Sequence, residues 1–257
     1  MAAAVGKSVK NLFRSFHLKN SLAKPRNVLG VQRLYLSNQA SEEKAEEFRL
    51  EYLDGPQDGI ALFVFNRPEA KNAMSKNFLR LFLDALACVK HDKNVRALII
   101  KSDAKGIFCA GADLKERVKM RPEEVAPFVS SARGAINDLG NLSIPTIAAL
   151  DGHAMGGGLE LALACDFRVA ASNAKIGLTE TKLAIIPGAG GTQRLPRLIG
   201  ISKAKEMIFT GAVVSGMEAA AIGLAEYGVE QNEEGDAAYQ RALTLAERIL
   251  PQGTSCG

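Results

Sequence analysis

The stretch Gly156-Gly157-Gly158-Leu159-Glu160-Leu161-Ala162-Leu163-Ala164-Cys165-Asp166 predicts an apolar helix that opens on three glycines and carries one acid. A second acid, Glu180, ends the segment Ile176-Gly177-Leu178-Thr179-Glu180. Burying a carboxylate without a partner costs several kcal/mol, so such an acid usually has a shifted pKa or a chemical task. Two acids near one pocket can divide proton transfer between them. The pair therefore indicates an enzyme.

The glycines themselves suggest a binding feature. They permit close backbone approach to a ligand, and the first N–H groups of a helix have no intrahelical acceptor, so they can bind an oxyanion. Ala110-Gly111-Ala112-Asp113 forms a second small-residue bend before a helix and could supply another donor. Neither stretch fits a Walker A or dinucleotide-binding fingerprint. Tight packing between a helix and a strand is the alternative explanation of such glycine runs.

Strands and helices alternate along the chain. Periodicity predicts strands at 60–65, 95–100, 146–150 and 167–170, with a charged lead-in at 42–54. Ser75 is expected to cap a helix over 76–90. This order favours an α/β layered core with parallel strands and with ligands at glycine-rich strand ends. Further helices are expected from 114 onward and at 123–137, 203–209, 216–222 and 234–249.

The positive charge of the chain is concentrated at its N-terminus. The net charge is +4, but residues 1–41 carry seven Lys or Arg and no acid, which leaves the rest with 25 basic and 28 acidic residues. This basic, serine-containing leader is typical of a mitochondrial presequence, and cleavage is expected near Tyr35. A basic tail without a targeting role is the alternative. The predicted location is the mitochondrial matrix, and the acidic body gives little support to nucleic-acid binding.

Several other classes of protein are disfavoured by residue spacing. The four cysteines lack CxxC spacing, so neither a zinc site nor a redox pair is indicated. His91 and His153 lie near no GxSxG elbow, which disfavours a serine hydrolase. No apolar run reaches the roughly 18 residues of a membrane span. We therefore expect no metal and no membrane span.

Four segments together resemble the enoyl-CoA hydratase/isomerase (crotonase) superfamily. They are residues 67–73 (RPEAKNA), 108–116 (FCAGADLKE), 156–166 and 186–195 (IPGAGGTQRL). The resemblance implies an α/β fold, a crotonase-like spiral of ββα units over residues 42–252. It also implies that the family's C-terminal helical region is largely truncated here, with 253–257 a divergent tail after a presequence at 1–41.

The resemblance also implies a site. Backbone N–H groups of Ala112 and Gly157 would hold a thioester oxygen, while Glu160 and Glu180 would hold one water, one acting as base and the other as proton donor. The Gly188 N–H would help to position that water. No separate cofactor is implied, because coenzyme A is part of the substrate. The residues expected to line the coenzyme A channel are Lys71, Ala73, Ala110, Asp113, Leu114 and Lys115.

The implied activity is a lyase that adds water syn across the 2,3-double bond of an enoyl-CoA, in fatty-acid or branched-chain amino-acid catabolism. Family members of full length form homotrimers or hexamers, so residues 42–257 alone are expected to be monomeric or to aggregate. One alternative is an inactive truncated isoform. The other is an RNA-binding protein with residual hydratase activity, which we favour less. The basic row that RNA binding would need reads Lys76, Arg80, Asp84 and ends in an acid.

Overall fold

The computed structural model describes the backbone of residues 31–34 and all of residues 47–252. Eleven strands and eight α-helices are found in these ranges. The strands are β1 (Val31–Leu34), β2 (Phe48–Leu53), β3 (Ile60–Phe65), β4 (Ala97–Ser102), β5 (Ile107–Cys109), β6 (Thr146–Leu150), β7 (His153–Met155), β8 (Phe167–Ala171), β9 (Lys175–Gly177), β10 (Val214–Ser215) and β11 (Tyr227–Val229).

Helices follow pairs of strands along most of the chain, so β4–β5, β6–β7 and β8–β9 succeed one another without an α-helix between them. Short 3₁₀ turns occur at Gly55–Gln57, Pro68–Ala70 and Glu180–Leu183. The α-helices are α1 (Lys76–His91), α2 (Leu114–Arg117), α3 (Pro122–Gly140), α4 (Gly157–Ala164), α5 (Gly191–Ile199), α6 (Ile201–Thr210), α7 (Gly216–Ala221) and α8 (Ala237–Ile249).

The strands form two sheets, and both mix strand directions. The larger sheet has the order β1-β2-β3-β4-β6-β8-β11, in which β1, β2 and β3 are antiparallel and the rest are parallel. The smaller sheet has the order β10-β9-β7-β5, and its members β9, β7 and β5 run parallel. The expectation of an α/β core with parallel strands is confirmed, and the antiparallel pairs β1–β2, β2–β3 and β9–β10 at the sheet edges are additional to it.

Strand β3 is buried on both of its faces, which explains its continuous apolar sequence. Phe63 and Phe65 join a core that includes Phe78 and Phe82 of α1. The alternate residues of β3 face a second core, which α8 covers with Ala238, Ala242 and Leu245. The ring centroids of Phe65 and Phe78 lie 5.0 Å apart in an edge-to-face arrangement that aromatic pairs prefer.

Helix α1 begins where the sequence predicted. The hydroxyl of Ser75 accepts a hydrogen bond from the N–H of Phe78, which satisfies one of the otherwise unpaired donors of the first turn. The segment at 42–54, expected to be only a charged lead-in, instead contains β2. Its residues alternate between apolar and polar types, so Phe48 and Leu50 are buried in the core beside α1.

Arg168 ties the end of α4 to the segment before β11. Its side chain is 2% exposed and forms an ion pair of 2.5 Å with Glu226. The same guanidinium donates to the carbonyl oxygens of Cys165 at 2.6 Å and Leu224 at 3.0 Å. A cation at the C-terminus of α4 also interacts favourably with the helix dipole. Arg168 therefore fixes the orientation of the helix that carries Glu160.

Two expectations fall mainly outside the described residues. The proposed presequence at 1–41 is described only at Val31–Leu34, whose backbone pairs with β2. The proposed divergent tail at 253–257 is not described. Within the residues that the structure does describe, no helix is long and apolar enough to cross a membrane.

Candidate active site

A cavity of about 160 Å³ lies where the chain leaves the carboxyl ends of β5, β7 and β9 in the smaller sheet. The parallel strands β5, β7 and β9 are neighbours in this sheet, so the segments that follow them emerge at the same edge. Those segments carry Ala112, Gly157 and Glu180 respectively. Of the residues expected to form the site, the cavity wall contains Ala110, Ala112, Leu114, Gly157, Glu160, Glu180 and Gly188.

The two glycine-containing bends lie against each other. Gly111 has φ = 90°, and a Cβ added to it would lie 2.9 Å from the backbone N of Gly157 and 2.9 Å from the carbonyl O of Met155. A side chain at position 111 would therefore separate the bends. A Cβ at Gly157 would lie 3.7 Å from the backbone N of Ala112, so the two N–H groups are close together. Within residues 47–252 neither N–H has a protein acceptor, and both residues line the cavity.

The bend at Ala112 is held by hydrogen bonds to the segment before α1. The N–H of Met74 donates to the carbonyl of Gly111 at 2.7 Å, and the N–H of Asp113 donates to the carbonyl of Met74 at 3.1 Å. Arg67 adds an ion pair of 2.9 Å to the side chain of Asp113. Met74 is hydrogen-bonded to the residues on either side of Ala112, so the N–H of Ala112 is directed away from Met74. It therefore remains available to a ligand.

Glu160 lies in the first turn of α4 and is 3% exposed. Its Oε1 accepts hydrogen bonds from the backbone N–H groups of Ala189 and Gly191, each at 2.8 Å. Burial raises the pKa of the Glu160 carboxyl, and these two amides together with the positive charges of Arg194 and Arg133 act in the opposite direction. The side chain is thus buried but has specific partners for its ionised form.

Glu180 has fewer hydrogen-bond partners than Glu160. Its Oε2 is buried and has no hydrogen-bond partner in the part of the chain that the structure describes. Burial, with a smaller contribution from the negative charge of Glu160, raises the pKa of Glu180 to about 7. An unpaired carboxyl oxygen on a cavity wall is a position where a ligand or water can bind. The two acids therefore share a cavity but differ in their tendency to hold a proton.

The remaining residues expected to bind coenzyme A do not line this cavity. Lys71 and Lys115 are exposed, and Ala73 is buried. The carboxylate of Asp113 caps α2 by accepting from the N–H of Glu116 and pairs with Arg67, which gives it a structural role. Their part in binding the long nucleotide portion of coenzyme A remains a prediction.

Several features of the site escaped the sequence analysis. The amides of Ala189 and Gly191 hold Glu160, whereas the residue singled out there was Gly188. Arg117 of α2 also lines the cavity, and its side chain forms no ion pair within the described residues. The sequence signal for these amides was the glycine-rich run 188–191.

Other reactive side chains are accounted for structurally. The thiols of Cys109 and Cys165 are fully buried, and burial raises the pKa of each to about 12, so both remain protonated. The Nδ1 of His153 accepts a hydrogen bond from the N–H of Lys175, and His153 does not line the cavity. Across the described ranges, no group of three His, Cys, Asp or Glu side chains could hold a metal ion.

Comparison with known proteins gives a consistent result. Residues 55–252 match the family described as Enoyl-CoA hydratase/isomerase. A mouse protein named Methylglutaconyl-CoA hydratase, mitochondrial, is 60% identical over 215 residues, which are 83% of this chain and 68% of that protein. The human Enoyl-CoA hydratase domain-containing protein 2, mitochondrial, is 56% identical over 206 residues, 80% of this chain and 70% of that protein.

A solved structure shares the fold. The crystal structure of an enoyl-CoA hydratase from Bacillus anthracis has a TM-score of 0.76 and 42% sequence identity, and the match covers 81% of this chain and 78% of that one.

Proposed function

The chain belongs to the enoyl-CoA hydratase/isomerase family, and on that premise we propose that it adds water across the 2,3-double bond of an enoyl-CoA thioester. One observation carries the proposal: two buried carboxylates line the same cavity as two unpaired backbone donors. Burial raises the pKa of both, that of Glu180 to about 7, while two amides and two arginines oppose the rise at Glu160. Hydration needs all four groups, since it requires a base, an acid and stabilisation of an oxyanion.

The thioester carbonyl oxygen would accept hydrogen bonds from the N–H groups of Ala112 and Gly157. As hydroxide adds to C3, the electron pair of the double bond moves toward that oxygen and forms an enolate. Fixed backbone donors at this point act in a site of low dielectric and need no reorganisation, so their effect is large. Gly157 also lies at the N-terminus of α4, whose dipole favours the negative charge.

Glu160 acts as the base and Glu180 as the acid. The hydrogen bonds from Ala189 and Gly191 favour the carboxylate of Glu160, which takes a proton from water while the oxygen bonds to C3. The carboxyl of Glu180, with a pKa near 7, delivers its proton to C2 as the enolate collapses. Proton transfer from Glu160 to Glu180, through water, then restores the starting state.

The cavity also supports a class of acyl group. Its volume of about 160 Å³ suits a short chain, and Arg117 is the one basic side chain among the residues that line it. An unpaired guanidinium there would bind a carboxylate at the far end of the acyl chain. We propose a short, branched dicarboxylic enoyl-CoA, the type of compound in the name of the mouse relative, and a location in the mitochondrial matrix.

The test is a hydration assay that follows the loss of enoyl thioester absorbance with crotonyl-CoA and with methylglutaconyl-CoA. Glu160→Gln and Glu180→Gln are each expected to lower kcat by about 10²-fold or more. Glu206→Gln, an exposed acid on α6, is the matched control and is expected to keep full activity. Absence of turnover in the folded wild-type protein, or full activity in both variants, would contradict the proposal.

A further inference from the structure

Two arginines from different helices hold the turn 188–191 by its carbonyl oxygens. The Nε of Arg133, on α3, donates to the carbonyl of Gly188 at 2.7 Å. The Nη1 of Arg194, on α5, donates to the carbonyl of Ala189 at 3.2 Å, and its Nη2 donates to Asn137 Oδ1 at 2.9 Å. The turn is therefore fixed to α3 at two points, once directly and once through Arg194.

The amides of the same turn face the other way. The N–H groups of Ala189 and Gly191 both donate to Oε1 of Glu160. Along the turn, carbonyl groups that bind the arginines therefore alternate with N–H groups that bind the acid. This alternation depends on Gly190, which has φ = 112°, and a Cβ there would lie 2.1 Å from Arg194 Nη1. The arginine side chain thus occupies the space that a side chain at position 190 would fill.

The geometry points to a role for these arginines in catalysis at a distance. We propose that Arg133 and Arg194 are positioning residues that hold the turn 188–191 so that its amides, together with their own positive charges, keep Glu160 ionised and directed into the cavity. The inference rests on the proposed function, in which Glu160 is the base. Neither arginine lines the cavity, so neither is expected to touch the substrate.

The other charged groups around Glu160 do not supply the same effect. Glu180 is in the same cavity and opposes ionisation of Glu160, and Arg117 lies on the cavity wall. Of the strands packed on α4, β5 presents the neutral thiol of Cys109 and β7 carries His153. Burial raises the pKa of Glu160, and the groups that lower it are the two amides, Arg194 and Arg133.

The test measures the charge state of Glu160 directly. In protein labelled with ¹³C at the glutamate carboxyl carbons, the Glu160 signal is assigned by its loss in Glu160→Gln and titrated without substrate. Removal of a nearby positive charge favours the protonated acid, so Arg194→Gln and Arg133→Gln should each move the titration of Glu160 to higher pH. Arg197 is an exposed arginine on α5, the helix that also carries Arg194, and Arg197→Gln should leave the titration of Glu160 unchanged.

Kinetics supply a second readout. In the same two variants the decline of kcat at acidic pH should begin at a higher pH. Relative to wild type, their kcat should therefore fall several-fold more at pH 6 than at pH 9, while KM changes little. Arg194→Lys keeps the charge and should lie between wild type and Arg194→Gln. Arg133 is exposed and makes one of these hydrogen bonds, so Arg133→Gln provides the test if Arg194→Gln fails to fold.

The two proposals fail in different ways. An unmoved Glu160 titration and an unmoved acid limb in folded Arg133→Gln and Arg194→Gln would overturn the positioning role even if the wild type hydrates enoyl-CoA. A shifted titration in a protein that shows no hydration would support the positioning role and contradict the proposed function. An equal shift in Arg197→Gln would show a general charge effect and would also overturn the positioning role.

Discussion

The carboxyl of Glu180 lies in the same cavity as Glu160, and its burial, reinforced by the negative charge of Glu160, raises its pKa to about 7. Burial also raises the pKa of Glu160, but two backbone amides that donate to its Oε1 oppose that rise. The two carboxyls therefore differ in their hydrogen bonding, because Glu160 accepts from two amides whereas Oε2 of Glu180 has no partner in the described part of the chain.

This difference predicts a decline in hydration rate above neutral pH. Glu180 is the proton donor and is active below its pKa of about 7, so kcat/KM should fall as the pH rises through that value. The measurement is a pH–rate profile from pH 5 to 9. In Glu180→Gln the residual rate should show no decline near pH 7. A wild-type rate that keeps rising through pH 7 to 9 would contradict the assignment of Glu180 as the acid.

The contact between the two bends predicts a specific effect at Gly111. Gly111→Ala places a Cβ 2.9 Å from the backbone N of Gly157 and imposes an unfavourable φ of 90°. We expect kcat to fall by about 10²-fold or more, as when one oxyanion donor is lost.

The matched control for this change is Gly134→Ala, inside α3, where an added Cβ meets no atom within 4 Å. This variant should keep full activity and gain about 0.5–1 kcal/mol in the free energy of unfolding. Thermal unfolding and the hydration assay measure both effects. Equal activity in the two variants would show that the spacing of the bends does not matter.

Arg117 is predicted to select among acyl groups. Hydrogen bonds to charged groups contribute roughly 1.5–3 kcal/mol, so Arg117→Leu should lower kcat/KM for methylglutaconyl-CoA by about 10- to 100-fold. Crotonyl-CoA, which lacks the second carboxylate, should be affected by less than about threefold on the same argument. Lys119→Leu, an exposed cation just after α2, is the control. An equal loss with both substrates would assign Arg117 a structural role instead.

RNA binding through α1 is predicted to be absent or weak. Lys76 pairs with Glu124 at 3.1 Å and Arg80 pairs with Asp84 at 3.2 Å, so each cation of the row is already beside an acid. RNA affinity measured across a salt series should therefore give a slope near zero. A steep slope that is lost in the double variant Lys76→Ala/Arg80→Ala would restore RNA binding as a function.

The sequence predicted the long elements of the fold better than the short ones. Ser75 and the apolar stripe behind it located α1 closely, because capping and helical periodicity are local properties. The smaller sheet was not predicted. Strands β5, β7 and β9 have three residues each, too few to show a period, and their pairing depends on distant segments. Helix α5 was also missed, because Gly190 and Pro196 indicate a loop when read locally.

In the candidate site, too, local features could be predicted from the sequence and long-range ones could not. Glu160 and Glu180 could be singled out from the sequence because acids are conspicuous among apolar residues. The amides that hold Glu160 could not, since every residue except proline carries an N–H and only the fold decides where it points. The contributions of Arg133 and Arg194 were hidden for a similar reason, as they act on Glu160 from other helices.

The oxyanion donors inferred for this cavity are main-chain atoms at Ala112 and Gly157, and this affects how the protein can change through mutation. A substitution replaces a side chain but leaves the peptide N–H in place, unless proline is introduced. Point mutations can thus remove either acid, and with it one proton transfer, while the hydrogen bonds to a thioester oxygen are kept. Genetic drift at positions 160 and 180 would be expected to yield descendants that still bind and polarise acyl thioesters but catalyse a different reaction on them.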